Sequence, residues 1–84
     1  MDKFPSVNEK QVVLLRSDYN TGDVLDEGFV SDIKMERKVY TIFNCIDESM
    51  AYIKAVFSRR DDIEFIVYDA DKKVLKYISK DNPL

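Results

Sequence analysis

The sequence predicts an α+β fold of two layers: one main helix on one face of a mixed sheet of about four strands, in the order β-β-α-β-β. Two patterns carry this expectation. Apolar residues recur at helical spacing between Ile46 and Arg60, and four short runs of β-branched and aromatic residues flank that stretch, two before it and two after. Length is the third observation. The 84 residues make a single domain, 1–84, and a chain this short buries only about 60–65% of its unfolded surface, so its core is thin.

Residues 1–9 hold Pro5, Ser6 and Asn8 without periodicity and read as a loose tail. Gln11–Arg16 is the first strand, β-branched at its start and bounded by Ser17 and Asp18. From Asp18 to Gly28 the turn residues Asn20, Gly22 and Gly28 mark a loop. Within and after it stand Val24, Leu25, Phe29, Val30, Ile33 and Met35, too many apolar groups for water. Part of residues 22–36 therefore folds back on the body as a short helix, an extra strand or a packed loop. Lys38–Phe43 is the second strand, rich in strand formers.

The helix follows. Ile46, Met50, Ile53 and Phe57 share one face at i, i+4, i+7 and i+11, and Ala51, Ala55 and Val56 widen it. Asn44 or Cys45 is placed to cap the N-terminus, with Asp47 or Glu48 three residues on. Those acids sit at the positive end of the helix dipole and Arg59 and Arg60 at the negative end, each worth a few tenths to about 1 kcal/mol. Ile63–Tyr68 is the third strand and Val74–Ile78 the fourth, joined by an Asp69–Lys72 turn that lacks the usual glycine. Residues 80–84 read as a second loose tail. If the second and third strands lie parallel in one sheet, the helix between them forms a right-handed crossover.

Alternation along each strand leaves both sheet faces apolar. Val39, Thr41 and Phe43 oppose Tyr40 and Ile42; Val74 and Ile78 oppose Leu75 and Tyr77; Val12 and Leu14 oppose Val13 and Leu15. A sheet wetted on one side should show one polar face. One helix covers one face only, so the reverse face calls for residues 24–35, a second copy of the chain in a homodimer, or another protein.

Composition excludes several function classes. The net charge of −3 does not suit a general nucleic-acid binder. The absence of histidine removes the usual neutral-pH base, the commonest metal ligand and every Ser–His or Cys–His nucleophile pair. One cysteine makes no internal disulfide and no zinc cluster. No signal-peptide pattern and no run of about 20 apolar residues stands in the sequence, so no membrane role and a cytoplasmic setting are the default expectations.

The remaining candidates have modest structural explanations. Cys45 fills the strand–helix junction as a small buried residue. Asp18-Tyr19-Asn20-Thr21-Gly22-Asp23 opens like a calcium loop but places Phe29 where a bidentate glutamate belongs, and reads better as an Asx turn. Asp61, Asp62 and Glu64 read as solvated acids. Arg16, Lys34, Arg37 and Lys38 read as a basic spot on a solvated edge. The five tyrosines read as core and interface packing groups.

No catalytic residue, cofactor or metal site is expected. The favoured role is a non-enzymatic protein–protein interaction module. Its expected binding groups are the carboxylates of Asp18, Asp23, Asp26, Glu27 and Asp32, five acids in fifteen residues without a Lys or Arg, with Tyr40, Ile42 and Tyr77 of the sheet. An acidic loop of this kind steers association with a basic surface, as a small acidic inhibitor or immunity-type protein would. The alternative is a small-ligand-binding or enzymatic domain working as an oligomer, with a pocket lined by Tyr and Asp between sheet and loop.

Overall fold

The two strands with four consecutive apolar residues, Val12–Leu15 and Phe65–Tyr68, lie side by side in the middle of the sheet. In the computed structural model, which describes residues 4–31 and 38–83, β1 (Val12–Asp18) pairs on one side with β4 (Ile63–Tyr68), and β4 pairs with β5 (Val74–Ile78). The other side of β1 is shared. Its C-terminal half takes β2 (Val24–Leu25), and its N-terminal half takes β3 (Tyr40–Phe43). The single helix among the described residues, α1 (Ile46–Phe57), joins β3 to β4. The α+β, one-helix architecture is as the sequence predicts, with the short β2 as the extra element of residues 22–36.

One expectation is corrected. Every pairing is antiparallel, so the sheet is not mixed. β3 and β4 do run in the same direction, but β1 lies between them and pairs with both. The physical reason is that β1 is apolar on both sides, with Val12, Val13 and Leu14 all buried, and such a strand belongs at the centre of a sheet.

α1 lies over β1, β3 and β4 and does not reach β5. Ile53 is fully buried, and Ile46, Met50, Tyr52, Val56 and Phe57 pack against Val12, Leu14, Ile63, Phe65 and Val67 beneath. The helix face is widened by Ser49 and Tyr52 rather than by Ala51 and Ala55, which are exposed. Ser49 is tolerated inside because its hydroxyl donates to the Ile46 carbonyl at 2.7 Å. Cys45 is the N-cap residue and makes no side-chain cap; Glu48 instead accepts the Asn44 N–H at 3.0 Å.

Of the three alternatives for the reverse face, residues 24–35 supply little as far as they are described: Val24 stands there opposite Ser17, at one end of β1. Leu25 and Phe29 join the helix-side core, and residues 32–35 lie outside the described residues. The reverse face is crossed by Phe4, from the segment read as a loose tail. Its ring meets Tyr40 at 5.4 Å and Tyr68 at 5.5 Å, both edge to face. Lys72 Nζ lies 5.4 Å from the same ring. Beneath this level Val13, which pairs with Ile42 and Tyr68, is fully buried. Phe4→Ala should therefore cost about 1–2 kcal/mol, from half-burial of the ring and its two aromatic contacts. A urea midpoint unchanged from wild type would show that the arm contributes nothing.

Candidate functional site

The Asp69–Lys73 connection between β4 and β5 sets the geometry of the exposed margin. Asp69 Oδ1 accepts the N–H groups of Asp71 at 2.8 Å and Lys73 at 2.9 Å, and Lys72 takes the left-handed conformation (φ 65°) where a glycine would be easy. The ladder then shifts register: Val67 pairs with Lys76 but Tyr68 with Val74, so Leu75 is the extra residue of a bulge. The bulge overturns simple alternation. Val74, expected on the helix side with Ile78, is brought to the reverse side opposite Tyr68, and it joins Leu75 and Tyr77 there.

The outcome is an apolar margin. Val74 is 57% exposed, Leu75 41% and Tyr77 42%, while Ile42 on the far strand β3 is 45% exposed. Leu15 and Ile66 are half-buried between them. Because α1 stops short of β5, the helix side of this strand is open as well, and Lys76 projects there opposite Val67. Ile78, opposite Phe65, is the one β5 residue drawn into the core. Residues 72–80 carry charges of one sign, Lys72, Lys73, Lys76 and Lys80, with Asp69 and Asp71 before them and Asp81 after.

The expected acidic site divides. Asp18 Oδ1 accepts from the N–H groups of Asn20 at 2.8 Å and Thr21 at 3.2 Å, so it closes the β1–β2 turn, in which Gly22 holds φ 77°. Asp26 is buried, and its Oδ1 accepts from Gly28 N–H at 2.8 Å and Val30 N–H at 3.0 Å. These two carboxylates organise their own loops. Asp23 and Glu27 are exposed, and Asp32 lies outside the described residues. Of the expected sheet residues, Ile42 and Tyr77 are exposed at opposite sides of the reverse face, and Tyr40 is half-buried against Phe4.

Other sequence candidates fall into place. Cys45 is exposed rather than buried at the junction. Arg60 donates to both oxygens of Asp62 at 3.0 Å, holding that carboxyl below the usual range. The Tyr19 hydroxyl donates to the Asp81 carboxylate, and this hydrogen bond pushes the phenol upward. Lys80 lies over the Tyr19 ring at 5.2 Å. Arg16 is not on a solvated edge. It is 1% exposed, under α1, with its guanidinium carbon 5.9 Å from the Tyr52 ring centre. Its Nη2 donates to Thr41 Oγ1, while Nε and Nη1 have no hydrogen-bond partner among the described residues. Lys34 and Arg37 lie outside the described residues.

A groove of about 280 Å³ runs along the outer edge of β3, lined by Pro5, Glu27, Lys38, Tyr40, Thr41 and Ile42. Ligand pockets start at roughly 300 Å³ and are mostly apolar, and this one carries a carboxylate and an ammonium at an open surface. No helix among the described residues is long and apolar enough to cross a membrane.

Set against protein-family models, curated proteins and solved structures, the chain matches none.

Proposed function

We propose that the chain is a non-enzymatic protein–protein interaction module whose binding surface is the reverse face of the sheet and its β5 margin. The observation that supports this is the exposure of Ile42, Val74, Leu75 and Tyr77 on a face whose centre is already sealed by Phe4. A chain this small has few large apolar groups, and burying one fully is worth about 1.5–3 kcal/mol. Four left in water on one side are better explained by a partner than by the fold. Asp23 and Glu27, exposed near the opposite edge, contribute charge to the approach more than to the contact.

The reading separates stability from binding. Serine at Ile42, Leu75 and Tyr77 together should lower the thermal midpoint by no more than about 10 °C, because exposed positions contribute little to folding, generally within about 0.5 kcal/mol each. The same variant, used as bait in the source cell beside wild type, should lose the proteins that wild type retains. Retention of the same proteins by both baits would remove the surface from consideration, and unfolding of the variant would mean that these groups serve the fold.

A further inference from the structure

We infer that β5 is a docking edge for an extended segment in which acidic and apolar residues alternate. This rests on the interaction-module reading and names the class of partner. Among the described residues β5 pairs with β4 alone, so its other edge meets no described strand. An extended segment laid along a sheet edge gains main-chain hydrogen bonds and places successive side chains on opposite faces. On the reverse side its side chains would meet Leu75 and Tyr77, which are apolar and exposed. On the other side they would meet Lys76, in the strip that α1 leaves open. An apolar–acidic alternation satisfies both sides, and opposite charges paired across strands contribute roughly 0.2–1 kcal/mol each.

Charge also decides against a second copy of the chain at this edge. A two-fold β5–β5 pairing would bring together two strands that each carry Lys73 and Lys76, and like charges on neighbouring strands are destabilising. An acidic strand meets the same lysines favourably. The site has a defined end: Asn82 Nδ2 donates to the Tyr77 carbonyl at 2.6 Å, so the C-terminal turn occupies the edge at that point. The docked segment thus runs from Tyr77 toward the bulge at Val74 and Leu75.

The test uses a short synthetic peptide alternating glutamate with isoleucine, titrated into isotopically labelled protein and followed by amide chemical shifts. The expected result is a set of shifts centred on residues 74–78, weakening as salt rises, with a lysine-for-glutamate peptide binding about tenfold more weakly. Lys76→Glu, an exposed substitution, should reverse that preference while leaving the spectrum of the rest of the fold unchanged. Equal binding of both peptides, shifts elsewhere on the surface, or no shifts at all would overturn the inference. A dimer in light scattering with its protected amides on β5 would do so too, by showing that a second copy takes the edge. The broader reading is judged separately. If the serine variant loses its cellular partners while Lys76→Glu keeps them and the peptides do not bind, the module stands and the strand-docking edge falls.

Discussion

Phe65→Ala should remove most of the protein's stability. Phe65 is fully buried on β4, pairs with Arg16 on one side and Ile78 on the other, and receives the Tyr52 ring edge to face at 6.2 Å. It is thus the contact between the helix and both neighbouring strands. Truncating a buried phenylalanine costs about 3–5 kcal/mol, from lost transfer energy and the cavity left behind. Small domains have total stabilities of about 5–15 kcal/mol, and one with so thin a core lies toward the lower end. Urea unfolding followed by circular dichroism measures this directly. A loss below about 1 kcal/mol would mean that the core closes around the gap and that Phe65 does not hold helix and sheet together.

Arg16→Met should have the opposite sign. The guanidinium is buried with two nitrogens lacking hydrogen bonds among the described residues; its described polar contacts are the Thr41 hydroxyl and the Tyr52 ring. Desolvating a cation is expensive unless it is paired, and one hydroxyl with one ring offsets only part of that. Methionine fills a similar volume without charge, and exchanges of buried charged groups for apolar ones of like size are often neutral or stabilising by about 1–4 kcal/mol. The midpoint of thermal unfolding should rise. A clear fall would show that the charge of Arg16 is compensated in solution and that this compensation is part of the fold.

The elements were legible in the sequence because each is written in local periodicity. Ile63–Tyr68 and Val74–Ile78 stand where the apolar runs place them, and α1 keeps the Ile46–Ile53–Phe57 face. The pairing was not legible. Nothing in Lys38–Phe43 says that its neighbour is β1 rather than β4, because ladder hydrogen bonds are made by the backbone and carry no residue code. Arg16 was missed although the signal was present. It follows Val12 and Leu14 in the same alternation, which places it on the helix-covered face, but its charge suggested a strand end at the surface. Phe4 was missed for the reverse reason: one aromatic in an aperiodic stretch has no pattern, and only the unsealed centre of the reverse face creates a place for it.

The candidate surface was half legible. Tyr77 and Ile42 were chosen from the apolarity of the reverse face, and both are exposed. Leu75 shares that face with Tyr77 by simple alternation, whereas Val74 reaches it only through the bulge, which depends on a register shift against Tyr68. The acidic loop was over-read. Asp18 and Asp26 look like a charged surface in sequence, yet short acids among turn residues often bond their own backbone, as these two do.

The position of β1 bears on how the molecule is made. Its rungs with β4 join residues about 50 apart in the chain, Val13 with Tyr68 at one end and Asp18 with Ile63 at the other. Until β4 has left the ribosome, a strand apolar on both faces, Val12–Leu15, waits with one flank open, and only the β2 turn and the β3 rung are available to shield it. Nascent chains stalled before Ile63 are therefore the species most in need of a chaperone, and long-range ladders of this kind make for slow closure once synthesis has passed that point.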